Sequence, residues 1–188
     1  EFGGRQLPAE PLLFLKPSTA VSGPGDPIPL HPASHRVDYE GELAVVIGKT
    51  ARKVSEADAL KYVLGYTCAN DISARDCQIR RDKQWARGKG FDTFCPLGPT
   101  LLVDADVNPN ALAIRTRLNG QTMQNSSTAD MIFSVPFLIS YLSHQFTLLP
   151  GTVIITGTPE GVGCARKPPV FLRPGDSVSV EIESIGTL

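Results

Sequence analysis

Glycine and proline are scattered through the whole chain and divide its apolar residues into short runs. The 188 residues include 17 glycines and 16 prolines. This pattern predicts short strands joined by turns, and it excludes a collagen-like chain or a bundle of long helices. Apolar residues make up 41% of the sequence. That share is enough to bury a core, so we predict one folded domain of ordinary size.

The apolar runs have the length and residue types of strands. Strands are predicted at residues 12–15, 43–47, 66–70, 101–103, 112–118, 153–156 and 178–183. Asn119 and Gly120 directly after the fifth run indicate a two-residue hairpin turn. No regular alternation of strands and helices is present, so the pattern predicts an α+β fold built on antiparallel or mixed sheet.

Two segments are predicted to be helical. Residues 55–64 would begin at Ser55 as the N-cap and stop at Gly65. Residues 131–146 have apolar side chains at a helical spacing, with Ser134 as the N-cap and Pro136 in the first turn. Between the third predicted strand and the fourth, residues 71–92 are highly charged and predict a functional loop with a short helix.

The overall charge excludes some classes of partner. Eighteen basic residues against nineteen acidic residues leave a net charge of −1, which argues against general binding to nucleic acid or to an anionic membrane. No apolar run reaches the ~18 residues needed to cross a bilayer. The four cysteines form no CxxC pair, which favours reduced thiols and a cytoplasmic location.

Two glutamates stand at the start of the predicted strand 43–47. If the chain is extended there, Glu40 and Glu42 point to the same face. Neighbouring carboxylates repel each other unless a cation compensates, and oxygen ligands suit hard cations such as Mg²⁺, Mn²⁺ or Ca²⁺. The alternative interpretation is a solvated strand edge, for which two carboxylates at this spacing are common.

A third carboxylate follows the next predicted strand. Asp71 could complete a site with the two glutamates, and Arg75 and Gln78 would project from the same side if the segment is helical. An arginine and an amide beside a metal suit a small anionic ligand that is rich in oxygen. The alternative is an N-capping aspartate followed by surface charges.

Two glycine-containing loops add further candidates. Lys89 lies between Gly88 and Gly90, where the backbone can approach a ligand and the ammonium could balance three carboxylates. Thr158 lies in a glycine-rich loop after the predicted strand 153–156 and offers a hydroxyl to an oxyanion. Neither loop fits the phosphate-loop or dinucleotide pattern. An exposed basic turn and an ordinary glycine turn are the alternatives.

Taken together, five segments resemble the fumarylacetoacetate hydrolase family. They are FLKPS (14–18), VDYEGEL (37–43), NDISARD (70–76), KGFDTFCPLGP (89–99) and TGTPEGVG (156–163). The resemblance implies a mixed β-sandwich or roll with a few helices, assembled as a homodimer. It also implies a Mg²⁺ or Mn²⁺ site and a small 2-oxo or 2,4-dioxo acid as the substrate.

The resemblance further assigns residue roles. Glu40, Glu42 and Asp71 would bind the metal, Lys89 would lie beside it as a catalytic residue, and Arg75, Gln78 and Thr158 would contact the substrate. The family also carries a His-x-x-Glu pair in an N-terminal lid. Glu1 is a candidate for that glutamate and hence for a catalytic role, and residues 1–188 are then expected to be one catalytic domain without its lid and its last few residues.

The family resemblance leaves the reaction open. We expect a metal-dependent hydrolase that cleaves a C–C bond in an acylpyruvate or fumarylpyruvate. A decarboxylase acting on oxaloacetate, or an isomerase of a 2-oxo acid, would use the same residues. A member that binds the metal and a ligand without catalysis is the alternative from another class.

Overall fold

The computed structural model describes residues 7–188 of the chain. Eleven strands lie within these residues: β1 (Val21–Ser22), β2 (Val37–Asp38), β3 (Gly41–Ile47), β4 (Val63–Asn70), β5 (Ser73–Ala74), β6 (Cys95–Leu102), β7 (Ala113–Leu118), β8 (Gln121–Ser127), β9 (Val153–Ile155), β10 (Val178–Ile182) and β11 (Gly186–Thr187). Two α-helices accompany them: α1 (Ala86–Lys89) and α2 (Val135–Gln145).

The strands form two main sheets and a small ribbon. The first sheet has the order β1-β6-β4-β3-β9 and is mixed, because β1 pairs with β6 in parallel and the other pairs are antiparallel. The second sheet, β11-β10-β7-β8, is antiparallel, and β2 pairs with β5. The α+β, strand-rich architecture predicted from the sequence is confirmed.

The main core lies between the two sheets and beneath α2. Leu43, Val45 and Ile47 of β3 are fully buried in it, and Ile139 of α2 packs into the same cluster. The predicted cap of α2 is confirmed, because the Ser134 hydroxyl accepts a hydrogen bond from a backbone N–H of the first turn at 3.2 Å. Burial of these apolar side chains holds the two layers together.

The hairpin prediction is also confirmed. Asn119 and Gly120 connect β7 to β8 with φ angles of 50° and 81°, the positive values that a type I′ turn requires. The turn places β8 beside β7, and β7 in turn pairs with β10.

Two predictions of local structure were wrong. Residues 12–15 form no strand. The predicted helix 55–64 is a 3₁₀ helix, Glu56–Tyr62, in which the Ser55 hydroxyl donates to the Asp58 carboxylate at 2.8 Å and makes no cap. Gly65 lies inside β4 and ends no helix. It allows the Leu102 carbonyl of β6 to pass where a side chain would overlap it.

The other predicted strands are present, but they begin or end at different residues. The run at 101–103 is the end of a longer strand, β6, and β4 begins three residues before the predicted start. Among the helices described, none has the length and apolarity to cross a membrane.

Candidate active site

Three carboxylates meet where β3 begins and β4 ends. Antiparallel pairing places Gly41 opposite Asn70, and the Asp71 N–H donates to the Glu40 carbonyl at 2.8 Å. Glu40, Glu42 and Asp71 are all buried, and each offers an oxygen within 4.8 Å of the others. The structure therefore brings together the three residues that the sequence proposed as one cluster.

Gly41 allows the second sheet to approach this cluster. A side chain at this position would overlap the Thr116 hydroxyl of β7 and crowd Val180 of β10. The glycine between the two glutamates is thus required by the close contact of the two layers. It lets the carboxylates sit at the edge of the core.

Two lysines contact the carboxylates. The Lys89 ammonium lies 2.6 Å from a Glu40 oxygen and also hydrogen bonds to Asp71. Lys16 binds the other Asp71 oxygen at 2.6 Å and donates to the backbone carbonyl of Lys89. Lys16 was missed as a site residue, since it lies in a proline-rich segment without periodicity. Its place in the FLKPS segment was the one available signal.

Arg75 forms the third cationic contact. Its guanidinium lies 2.7 Å from Glu40, 2.9 Å from Asp38 and 3.1 Å from the side-chain oxygen of Gln78. The segment after Asp71 does not begin as a helix, because β5 pairs with β2 there, and a π-helical segment, Asp76–Arg81, follows. Arg75 and Gln78 nevertheless both face the site.

The glycine-rich loop 156–163 closes the other side. The Gly157 N–H donates to Glu42 at 2.7 Å. The Thr158 hydroxyl donates to the Gly41 carbonyl at 2.9 Å and accepts from the Gln124 amide at 2.8 Å. Gln124 is a second residue that the sequence did not indicate. Its amide links β8 to the loop, so the Thr158 hydroxyl is held by residues of both sheets.

Burial and the neighbouring charges shift the pKa values of these carboxyl groups in different directions. Burial alone would raise the pKa of Glu40, but Lys89 and Arg75 outweigh it and hold that pKa below its usual value. Burial, followed by the charges of Asp71 and Glu40, raises the pKa of Glu42 well above its usual value. Burial also raises the pKa of Asp71 against the opposing effect of Lys89.

The lysine keeps its proton. Burial by itself would lower the pKa of Lys89, yet Glu40 and Asp71 raise it above the usual value. Lys89 is therefore an ammonium at neutral pH. It can donate hydrogen bonds or a proton, and it cannot act as a base without first losing that proton.

The donor set fits a divalent cation. All three side chains supply hard carboxylate oxygens, which suit Mg²⁺ or Mn²⁺. Among the described residues, Glu42 forms no ion pair and receives its hydrogen bond from Gly157 alone. A buried carboxylate in that situation is costly unless a cation compensates it.

A cavity of about 720 Å³ opens above the cluster. The three carboxylates, Arg75, Gln78, Lys89 and Thr158 line it. Its lining also includes aromatic side chains, among them Phe14, Trp85 and Phe133. The Phe14 ring lies 4.9 Å from the Lys89 nitrogen and 6.1 Å from the Trp85 ring centre. Glu1, the remaining candidate, lies outside the described residues.

Comparison with known proteins identifies the family. The sequence profile described as "Fumarylacetoacetate (FAA) hydrolase C-terminal" matches residues 2–188. The chain belongs to the fumarylacetoacetate hydrolase family. The resemblance seen in the five sequence segments is thereby confirmed.

Two curated relatives match almost the whole chain. A fumarylacetoacetate hydrolase domain-containing protein 2 homolog of Dictyostelium discoideum is 51% identical, and the match covers 97% of this chain and 63% of the relative. The mitochondrial oxaloacetate tautomerase Fahd2a of Rattus norvegicus is 49% identical, with 97% and 59% covered. The chain thus spans less than two thirds of the length of these relatives.

Solved structures share the fold. A 5-carboxymethyl-2-hydroxymuconate delta-isomerase from Mycobacterium smegmatis is 48% identical with a TM-score of 0.89, and 98% of this chain and 70% of that chain are covered. A fumarylacetoacetate hydrolase from Exiguobacterium antarcticum is 43% identical with a TM-score of 0.91, covering 94% and 64%. Proteins named as isomerases and as hydrolases therefore have this fold.

Proposed function

We propose that this protein is a metal-dependent isomerase that interconverts the keto and enol forms of a small 2-oxo diacid such as oxaloacetate. The observation that carries the proposal is the buried cluster of three carboxylates in the cavity lining, two of which, Glu40 and Asp71, form ion pairs with Lys89, while Glu40 also pairs with Arg75. The rat relative named as an oxaloacetate tautomerase, about half identical to this chain, favours this reaction over the hydrolysis expected first.

Glu40, Glu42 and Asp71 would hold Mg²⁺ or Mn²⁺. When bound, such an ion supplies a Lewis acid that polarises an oxygen of the substrate. The remaining work falls to the side chains around it. They must bind the substrate carboxylates, stabilise the negative charge that grows on the keto oxygen, and keep bulk water away.

Each cation has a place in this scheme. Arg75 and Gln78 would bind a substrate carboxylate, since a guanidinium can give it two parallel hydrogen bonds. Lys89 would donate a hydrogen bond to the developing oxyanion. The raised pKa of Lys89 supports that role, because the group stays protonated at neutral pH. Keto–enol exchange breaks one C–H bond and forms one O–H bond, so no water is consumed.

The test is a set of parallel assays on the full-length chain with Mg²⁺ or Mn²⁺. Decay of the enol of oxaloacetate, followed by its ultraviolet absorbance, should be faster than in a protein-free solution with the same metal. Chelation should remove the acceleration, and so should Lys89→Met. Equal rates with and without the protein would overturn the proposal.

The same assays separate the other candidates. C–C hydrolysis of an acylpyruvate is the second candidate, favoured by the solved structure that bears the hydrolase name. Cleavage of an acylpyruvate without enol decay would identify a hydrolase. Formation of pyruvate from oxaloacetate would identify a decarboxylase. Metal binding without turnover of any of these substrates would mark a non-catalytic member.

The substrate contact of Thr158, the oligomeric state and the cellular location remain predictions. Thr158 is expected to contact the substrate, although its hydroxyl already has two partners. A homodimer and a cytoplasmic location are expected as well. The rat relative is named as a mitochondrial protein, and localisation of the tagged full-length protein would determine the compartment of this one.

A further inference from the structure

Asp38 is completely buried and does not line the cavity, yet both of its oxygens are fully used. One oxygen accepts the N–H groups of Tyr39 at 2.9 Å and Gly163 at 2.8 Å. The other accepts the Arg75 Nε–H at 2.9 Å and the Cys164 N–H at 2.9 Å. A carboxylate that accepts four hydrogen bonds is held in one position and orientation.

The four donors connect Asp38 to two parts of the site. On one side, the same guanidinium reaches Glu40 at 2.7 Å. On the other side, Gly163 lies at the far end of the glycine-rich loop whose near end donates from Gly157 to Glu42. Asp38 is therefore connected to Glu40 through Arg75 and to Glu42 through the loop, and it touches neither carboxylate.

The contact with the loop depends on a close approach. A side chain at Gly163 would overlap the Val170 carbonyl and lie 2.6 Å from an Asp38 oxygen. The neighbouring Tyr39 hydroxyl donates to the Gly161 carbonyl at 3.0 Å, which fixes the loop at a second point. Consecutive residues of one segment thus set the position of the loop.

We infer that Asp38 is a positioning residue for the proposed metal centre. Through Arg75 it aligns Glu40, and through the N–H groups of Gly163 and Cys164 it holds the loop that aligns Glu42. The inference rests on the proposed function. A residue that served the fold alone would change stability and leave the affinity of the folded protein for a cation unchanged.

Asp38→Asn tests this in the full-length chain. The amide has one acceptor and one donor in place of two acceptors, so in either orientation one pair of N–H groups faces an NH₂ group. Binding of Mn²⁺ alone, without substrate, is followed through the electron paramagnetic resonance signal of the free ion. Supporting groups behind metal ligands typically contribute roughly 10- to 100-fold in affinity, and we expect a loss of that size.

Asp176→Asn is the matched control. Asp176 accepts the Arg173 N–H and the Asn119 side-chain amide, both at 2.8 Å, in a surface turn far along the chain from the cluster. The same chemical change there should leave Mn²⁺ affinity within about twofold. If Asp38→Asn is folded, as judged by circular dichroism, and binds Mn²⁺ like the wild type, the inference is wrong.

If Asp38→Asn does not fold, amide hydrogen exchange of the wild type tests the inference instead. Addition of Mn²⁺ should slow amide exchange in the segment 162–166, because the cation would fix the carboxylates at both ends of the connection. The turn 173–177 should not change. Unaltered exchange in 162–166 overturns the inference, whereas absence of tautomerase activity in a protein that binds Mn²⁺ overturns only the proposed function.

Discussion

Strand β3 belongs to two regions that stay buried for opposite reasons. Its inward side chains Leu43, Val45 and Ile47 lie in the core between the sheets, where burial is itself favourable. At its beginning, Glu40 and Glu42 lie in the charged centre, where burial is costly and is offset by ion pairs and hydrogen bonds. The core therefore raises the free energy of unfolding, whereas burial of the charged centre lowers it.

This difference predicts how each region responds to substitution. A truncation in the core removes packing and should lower stability without a change in cation affinity. A change of charge in the centre should alter binding and activity more than stability. The following variants test that separation, in order of expected effect.

The largest effect is expected for Glu42→Gln. The amide can still accept the Gly157 N–H, and it resembles the neutral acid that the raised pKa of Glu42 favours. It lacks the negative charge that a divalent cation requires, so Mn²⁺ binding and metal-dependent turnover should fall below detection. Without metal, the midpoint of thermal unfolding should move by only a few degrees.

Glu183→Gln is the control for this change. Its carboxylate accepts a backbone N–H from Ala113 at the surface, in a geometry comparable to that of Glu42. Binding and turnover should be retained. Undiminished activity of Glu42→Gln, or full activity of the wild type after exhaustive chelation, would contradict the metal assignment.

Two adjacent leucines measure the contribution of the core. Leu148 is 1% exposed and packs in the main cluster, whereas Leu149 is 59% exposed. Leu148→Ala should lower the free energy of unfolding by about 3 kcal/mol, and Leu149→Ala by less than about 0.5 kcal/mol. Denaturant titration gives both values. A loss of Mn²⁺ affinity in folded Leu148→Ala would show that the two regions are not separate.

Lys16→Met removes one cation from the edge of the centre. Mn²⁺ affinity should stay the same or improve, because Lys16 competes for an Asp71 oxygen. Lys61→Met, which removes an exposed lysine paired with Asp58, is the control. Weaker Mn²⁺ binding in Lys16→Met would contradict this role.

The smallest effect is a pH dependence of stability without metal. The pKa of Glu42 is higher in the folded protein than in the unfolded chain, so the folded state binds this proton more tightly. The resulting stabilisation is lost as pH rises from the unfolded pKa through the folded pKa. Glu42→Gln has no such titration. Its unfolding midpoint relative to the wild type should therefore be higher at pH 8 than at pH 5.5, and an equal difference at both values would contradict the shift.

Local sequence signals worked where a pattern repeats over neighbouring residues. The cap at Ser134 and the apolar spacing after it predicted α2 correctly, and Asn119 with Gly120 predicted the hairpin. The same kind of signal failed at 55–64. There the hydroxyl of Ser55 pairs with Asp58, and pairing of β4 with β3 takes over from Val63 onward.

The candidate site divides in the same way. Glu40 and Glu42 could be grouped from the spacing of two residues on an extended segment, and Asp71 from its position directly after the next predicted strand. No local pattern pointed to Asp38, Lys16 or Gln124. Their partners lie far along the chain, 55 residues away for Lys16 and Asp71 and 83 for Gln124 and Gly41.

The sequence by itself determined the α+β class, the family and the three carboxylates that call for a cation. Hydrophobic periodicity and short charged segments carry that information, because they depend on neighbours in the chain. The tertiary structure alone decided which cations meet those carboxylates and that Asp38 connects Arg75 to the glycine-rich loop. Such contacts form only when sheet pairing closes the chain, and no local spacing encodes them.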